Sequence, residues 1–370
     1  MTRTPTLRPV TGTPAEVERL VAEWIQAPGG ESAAEPAPLT VRTSGSSGEP
    51  KQVALTRAAV VASATATLSR IGGPGRWVLA LPPHHVAGLQ VIVRSVLSGS
   101  SPVVLADHGG LAAAAAALRS TPGAAPGSAR RYCALVPTQL HRMLADPHDT
   151  AALASFDAVL VGGAAASPDL IRRAREQGAR VVTTYGMTET CGGCVYDGAP
   201  LDQVRVRLGD DSRVEIAGPV LFAGYADDPA LTASVLRDGW LRTSDLGRLD
   251  ADGRLEILGR LDDMVVSGGV NVSLPAVERR LLSHPAIRQV AVVGVPDAEW
   301  GTRVLAVLVS EPGLPAPSRA EVRDFVSQAH PRAWAPLQVV TAEALPMLAS
   351  GKVDRQALRR ELSSSAGPRA

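Results

Sequence analysis

Hydrophobic and polar positions follow two rhythms along this chain. Near its start, Val17, Leu20, Val21, Trp24 and Ile25 recur at helical spacing behind Thr13-Pro14-Ala15-Glu16, a capping box with Pro at the first helical position. That combination predicts a short amphipathic helix. Short apolar runs then alternate with helical stretches. Strands are expected at 39–42, 52–56, 77–81, 102–106, 132–136, 158–161 and 180–184, and helices at 88–97, 111–118 and from Pro168. Buried strands alternating with helices predict a parallel or mostly parallel α/β sheet. The segments 28–39 and 120–130, rich in Gly and Pro, read as loops.

Past Val204 the rhythm changes. Strands become short and close together (204–208, 213–217, 247–249, 255–258) between Asp/Gly turns, which predicts a small β region. Beyond Gly259 come a helix from Leu274, strands at 289–295 and 303–309, and a helix opened by a second capping box, Ser318-Arg319-Ala320-Glu321. The small, polar tail 363–370 reads as a frayed end. A domain boundary near 260–263 divides the chain into 1–259 and 260–370.

Composition narrows the function. A length of 370 residues suits two domains, and 45% hydrophobic with 20% charged residues is ordinary for a soluble globular protein. Aromatic residues make up only 3%, so the cores rest on Val, Leu, Ile and Ala, and a stacking platform for single-stranded nucleic acid is not expected. A net charge of +1 without a block of Lys or Arg speaks against nucleic acid as a partner. No apolar run approaches the ~18 residues of a spanning helix, and the polar start is not a secretory signal. The expected setting is therefore the cytoplasm, with no integral membrane association. Three cysteines make no disulfide framework; Cys191-Gly-Gly-Cys194 has a redox or half-zinc spacing, but no second pair completes a zinc site.

Five segments carry candidate chemistry. Thr43-Ser44-Gly45-Ser46-Ser47-Gly48-Glu49-Pro50-Lys51 offers turning backbone N–H groups, hydroxyls and an ammonium to an anion, without the spacing of a Walker A loop. A flexible linker is its bland alternative. Thr184-Tyr185-Gly186-Met187-Thr188-Glu189-Thr190 follows a strand, where α/β sheets bind ligands, and Glu189 suits Mg²⁺ as well as it suits a solvated helix start. Gly239-Trp240-Leu241-Arg242-Thr243-Ser244-Asp245-Leu246-Gly247 places Asp245 to accept from a ribose diol or to make an Asx turn. Gly259-Arg260-Leu261-Asp262-Asp263, followed by Gly268-Gly269, suits a hinge. Leu345-Pro346-Met347-Leu348-Ala349-Ser350-Gly351-Lys352 ends in a lysine that by itself reads as surface.

In this order and spacing the five segments resemble the adenylate-forming superfamily of acyl-CoA synthetases, peptide-synthetase adenylation domains and beetle luciferases, from about Thr43 to Arg355. The resemblance implies a large N-terminal domain of α/β layers with a β-barrel-like piece, and a small mobile α+β C-terminal domain. It implies ATP and coenzyme A as substrates, Mg²⁺ as cofactor and a small-molecule carboxylic acid as the group activated. By the same resemblance Thr43, Ser44, Gly45, Ser46, Ser47, Gly48 and Lys51 hold the outer phosphates, and Thr188 and Glu189 meet phosphate and Mg²⁺. Gly163, Ala164, Tyr185 and Gly186 line the adenine pocket. Asp245 and Arg260 meet the ribose, Asp262 is the hinge, Gly268 and Gly269 lie by the thiol substrate, and Lys352 serves adenylation. Many members dimerise, so a homodimer is an expectation of the resemblance alone.

The substrate acid is suggested by Leu81-Pro82-Pro83-His84-His85-Val86-Ala87-Gly88-Leu89 and Arg94, nine residues after His85. With only about forty residues ahead of the phosphate loop, the chain most resembles the compact o-succinylbenzoate–CoA ligases of menaquinone synthesis. That resemblance implies that His85 gates the acyl pocket and offers Arg94 for a second carboxylate; a helix-surface arginine is the alternative. Cys191 is a further candidate for the pocket wall. Val270 and Leu274 depart from the acid and aromatic common in relatives. Another acyl- or aryl-CoA ligase, an adenylation enzyme loading a carrier protein, and an inactive nucleotide-binding protein are the competing readings.

Overall fold

A computed structural model describes residues 7–28, 36–43, 51–120, 130–348 and 353–364. The chain divides into two compact units. One comprises Met1–Ala166, Leu170–Thr243 and Leu249–Glu256; the other comprises Ser167–Asp169, Ser244–Arg248 and Ile257–Ala370. The whole is a mixed α/β fold, as the alternating rhythm predicts.

The N-terminal unit is built on a seven-stranded sheet. Its order is Ala199–Pro200, Gly192–Tyr196, Val181–Met187, Ala158–Gly162, Arg130–Leu135, Gly75–Leu79, Val103–Val104. The five strands from Val181–Met187 onward run parallel, and the two at the other edge are antiparallel. Their apolar runs are buried on both faces, which is why they read as continuous rather than alternating. On one face Leu111, Leu118, Leu140, Leu153 and Ile171 from the helices pack against Cys133, Leu135, Val159, Val161 and Val181 of the strands. The helix Val86–Leu97 packs on strands Gly75–Leu79 and Arg130–Leu135.

Gly75–Leu79 has Val103–Val104 on one side and Arg130–Leu135 on the other. The chain thus leaves this strand in one direction and returns in the other, the switch point where open α/β sheets bind ligands beyond their carboxyl ends. Four segments leave that edge from the parallel strands: the loop 80–85, Val136, Gly163-Ala164 and Thr188-Glu189.

Two smaller sheets complete the β region. The strands Leu39–Thr43 and Lys51–Leu55 form an antiparallel pair with Thr43 opposite Lys51, flanked by Arg8–Pro9 and Gly224–Tyr225. The second sheet runs Arg205–Leu208, Arg213–Ala217, Trp240–Leu249, Leu236–Arg237, with Leu255–Arg260 joined to Trp240–Leu249.

The C-terminal unit has a sheet of order Val270–Ser273, Met264–Ser267, Gly301–Ser310, Ile287–Asp297, with Gln338–Thr341 parallel to Gly301–Ser310. The long strands are covered on both faces. Val290 and Val292 face the helices Leu274–Leu282 and Arg319–Ser327, while Ala291, Val293 and Val295 face Arg355–Ser364. The period-2 alternation of the strand distributes its residues between two apolar layers.

Several expectations shift. Residues 102–106 give a strand only at Val103–Val104, followed by a single 3₁₀ turn, Leu105–Asp107. Gly247–Leu249 is the end of a ten-residue strand, Trp240–Leu249, so Asp245 lies in a strand and not in an Asx turn. The helix Arg57–Ile71 has no counterpart in the pattern reading: seven of its residues are buried, and its run of Ala, Val, Ser and Thr shows no helical stripe.

Candidate active site

The loop before the helix Val86–Leu97 is shaped by Gly88. A Cβ there would lie 2.1 Å from Pro82 O, so the chain 82–85 can fold back over the first helical turn only because the residue is glycine. His85 occupies the N-cap position, its ring 4.7 Å from that of His84. The next strand ends are equally tight. A Cβ at Gly162 would meet Thr184 Oγ1 at 2.1 Å, and Gly163 takes φ +77° beside Val136. Gly163 and Ala164 are exposed at this edge. Tyr185 and Gly186 lie within the strand Val181–Met187, not after it, at an irregularity in its pairing with Gly192–Tyr196.

Thr188 and Glu189 form a 3₁₀ turn, both half-buried. Thr190 ties the turn down: its hydroxyl donates to Gly192 O at 2.7 Å and accepts from Met187 N at 2.9 Å. Glu189 is held twice. Its carbonyl accepts from Phe222 N at 2.9 Å, and its Oε1 accepts from the Tyr225 hydroxyl at 2.8 Å. Lys51 Nζ lies 5.3 Å from the centroid of the same Tyr225 ring. The structure thus brings Lys51 and Glu189 to one aromatic side chain that the motifs did not single out. No local pattern marks it: Tyr225 is brought there by the pairing of Gly224–Tyr225 with Lys51–Leu55, a contact of the folded sheet.

Arg94 is not a surface arginine. It is 3% exposed, its Nη2 donates to Thr67 Oγ1 at 3.2 Å, and its guanidinium lies 5.3 Å from the Trp77 ring centroid. Thr67 Oγ1 gives its own proton to Ser63 O, so it accepts from Arg94 and is also bonded to Tyr196 Oη at 2.9 Å. Among the described residues no carboxylate pairs with Arg94, and its buried Nε has no partner. Burial pulls its pKa below the usual arginine range. One turn earlier Gln90 gives both amide protons, to Val60 O and Cys191 O, leaving its buried Oε1 unbonded.

Cys191 is fully buried in the left-handed region at φ 51°, with its carbonyl held by Ser63 and Gln90. Burial pushes its thiol up, and raises that of Cys194 to about 12. No metal-holding group of three or more His, Cys, Asp or Glu exists among the described residues.

In the C-terminal unit Asp245 is buried and its Oδ1 lies 3.5 Å from Arg260 Nη1, so the two predicted ribose residues stand together. Gly268 and Gly269 form the two-residue turn between Met264–Ser267 and Val270–Ser273, with φ +56° and +77°. Positive φ at both positions is what such a hairpin turn needs. A Cβ at Gly268 would lie 2.7 Å from the Trp300 ring, whose carbonyl accepts from Gly268 N at 2.9 Å. Asp262 belongs to the turn Leu261–Asp263. Ser44, Gly45, Ser46, Ser47, Gly48 and Lys352, and the side chain of Asp262, lie outside the described residues. No helix among those described is long and apolar enough to cross a membrane.

A doubly wound sheet with glycine-tight turns beyond its parallel strands, Glu189 and Lys51 on one tyrosine, and a separate α+β unit define an α/β fold of the kind that binds ligands at its switch point. The chain belongs to the AMP-binding enzyme family: that family's model matches residues 30–224, and the model of its C-terminal domain matches 276–352. It is 44% identical over 341 residues to a Mycobacterium tuberculosis protein named "Probable 2-succinylbenzoate--CoA ligase", covering 91% of this chain and 88% of that one. A 2-succinylbenzoate–CoA ligase of Listeria monocytogenes is 30% identical, with 87% of this chain and 69% of that one covered. Among solved structures, o-succinylbenzoate CoA synthetase of Bacillus subtilis, in complex with its acyl-adenylate intermediate, superposes with a TM-score of 0.72 at 28% identity, covering 90% of this chain and 69% of that one.

Proposed function

We propose that this enzyme activates 2-succinylbenzoate with ATP as an acyl adenylate and passes the acyl group to coenzyme A, a cytoplasmic step of menaquinone synthesis. The observation that carries the choice of acid is Arg94, a buried guanidinium with no carboxylate partner among the described residues. 2-Succinylbenzoate has two carboxylates. One is adenylated, and the second supplies the charge that Arg94 lacks. A monocarboxylic acid would leave that cation uncompensated, which is expensive in an apolar interior. The names of the two relatives support the same acid.

In the first half-reaction a carboxylate oxygen of the acid attacks the α-phosphorus of ATP, and the bond to the bridging oxygen of pyrophosphate breaks. Negative charge grows on the leaving group, so cations and N–H donors already in place lower the barrier. In this reading Thr43, the segment Ser44–Gly48 and Lys51 hold the outer phosphates. Gly163, Ala164, Tyr185 and Gly186 receive the adenine, Asp245 and Arg260 the ribose, and Lys352 meets the reacting phosphate. Thr188 binds phosphate, and Glu189 is the protein ligand for Mg²⁺. The donor set fits: Glu189 would offer the ion one carboxylate, its Oε1 oriented by Tyr225, and Mg²⁺ takes hard oxygen donors of this kind. When bound, Mg²⁺ neutralises developing phosphate charge. In the second half-reaction a thiolate attacks the acyl carbon, and AMP leaves. Gly268 and Gly269 border the thiol path, His85 gates the acyl pocket, and Asp262 is the hinge between domains 1–259 and 260–370.

ATP–pyrophosphate exchange across a panel of acids tests the assignment. Exchange is expected with 2-succinylbenzoate. Strong exchange with another acid and none with this one would refute it. Lys352→Ala is expected to lower adenylate formation by ~10²–10³ or more while sparing thioester formation from supplied adenylate. An equal loss in both half-reactions would refute a role for Lys352 confined to the first step.

A further inference from the structure

Glu189 and Lys51 carry opposite charges and share a neighbour, yet they form no ion pair with each other. Tyr225 gives each a separate partner. Its hydroxyl donates to Glu189 Oε1 at 2.8 Å, and its ring face lies under the Lys51 ammonium at 5.3 Å. A phenol can do both at once because its proton lies in the ring plane and its negative quadrupole lies above that plane. The ring is itself fixed. Its backbone is in register with Val53, and the buried Phe222 meets it edge-on with centroids 5.1 Å apart. Phe222 also anchors the Glu189 carbonyl through its own N–H. One four-residue stretch, Phe222 to Tyr225, therefore holds the backbone and carboxylate of Glu189 and underlies the cation.

We propose that Tyr225 is a positioning residue that keeps Glu189 and Lys51 from neutralising one another, so that a metal–nucleotide substrate meets a preformed carboxylate and a separate ammonium. A direct Lys51–Glu189 pair would have to be broken each time the nucleotide enters. The tyrosine hydroxyl orients one carboxylate oxygen and leaves the other for the metal. The inference rests on the reading of Glu189 as metal ligand and Lys51 as phosphate contact.

The test is calorimetric and uses the full chain without any acid substrate: ATP binding with no metal, then Mn²⁺ binding to the ATP complex. Tyr225→Phe keeps the ring and loses the hydroxyl. It is expected to leave metal-free ATP affinity within about twofold and to weaken Mn²⁺ about tenfold, the size of a lost charge-assisted hydrogen bond. Tyr225→Leu loses both contacts and is expected to weaken Mn²⁺ equally and metal-free ATP a further two- to fivefold. Glu189→Gln serves as the reference for a lost metal ligand. If Glu189→Gln weakens Mn²⁺ and Tyr225→Phe does not, the positioning role is overturned while the metal assignment stands. If neither moves Mn²⁺, the metal assignment falls and the role of Tyr225 falls with it. A Tyr225→Phe variant that loses metal-free ATP as strongly as Mn²⁺ also overturns the proposal, because the hydroxyl would then not be acting through the carboxylate.

Discussion

Two arginines, one in each unit, stand in opposite electrical situations. Arg355 meets both oxygens of Glu278 at 2.7 Å, and Glu278 also accepts from Val292 N at 3.0 Å. Burial alone would lower the pKa of Arg355, but the Glu278 and Asp263 carboxylates outweigh it and the net shift is upward. Arg94 has a hydroxyl and an indole face for company and no anion among the described residues, and its shift is downward. A pair closed within the chain is scaffold, since its energy is the same with or without substrate. A guanidinium left open in the interior lowers stability and gains it back only when an outside anion arrives.

The largest effect is expected where the open charge is removed. Arg94→Ala should lower kcat/KM for 2-succinylbenzoate by ~10²–10³, the loss of a buried charge pair, while the KM for ATP moves less than about twofold. Arg94→Met should show the same loss of activity with unchanged or higher thermal stability, because an uncompensated buried cation has been replaced by an apolar chain of similar length. Steady-state kinetics beside thermal melting decides the matter. If activity and stability fall together, Arg94 is scaffold like Arg355 and the contrast collapses.

Next in size is the closed pair. Glu278→Ala leaves Arg355 without its carboxylate and frees the Val292 N–H, so denaturant unfolding should show a loss of about 2–3 kcal/mol, less than for a fully buried pair because Arg355 is one-third exposed. Glu278→Leu combined with Arg355→Met should recover most of that loss. A double-mutant cycle with no coupling would show that the pair is decoration.

The contrast between these arginines was only half legible in the sequence. Helices and strands of the α/β region follow from apolar runs and capping boxes, because burial on two faces and a Thr13 or Ser318 cap are local facts. The order of motifs likewise marks Lys51, Glu189 and Arg94. What no local pattern carries is the partner. Arg94 on a helix four residues after Gln90 is equally a surface residue or a core one, and the helix Arg57–Ile71 that supplies Thr67 shows no apolar stripe to announce it. Tyr225 was missed for the same reason: its two contacts, to Glu189 and Lys51, are 36 and 174 positions away along the chain. Long-range pairing of polar side chains is settled by the assembled sheet edge, not by spacing along the chain.

The smallest effect concerns buried groups that, unlike arginine, can discard their charge. Cys133, Cys191 and Cys194 are fully buried, and burial pushes all three thiols up, Cys194 to about 12. At neutral pH they are protonated in both folded and unfolded chains and contribute no pH-dependent stability. Above the unfolded thiol pKa, near ~8.5, the unfolded chain releases protons that the folded chain retains. The stabilising term is therefore fully present below about pH 8.5 and is lost as pH rises toward the folded value near 12. For Cys194 alone the loss between pH 8 and 9.5 should be about 1 kcal/mol. Guanidinium unfolding at those two pH values, in the parent and in Cys194→Ala, isolates it: the variant should lose less on the same rise. An identical loss in both would mean that Cys194 ionises as readily inside the fold as outside it. The interior around Cys191 and Cys194 would then not be dry, and Arg94, which is linked through Thr67 to Tyr196 on the strand that carries Cys194, would no longer need an anion from a substrate to balance it.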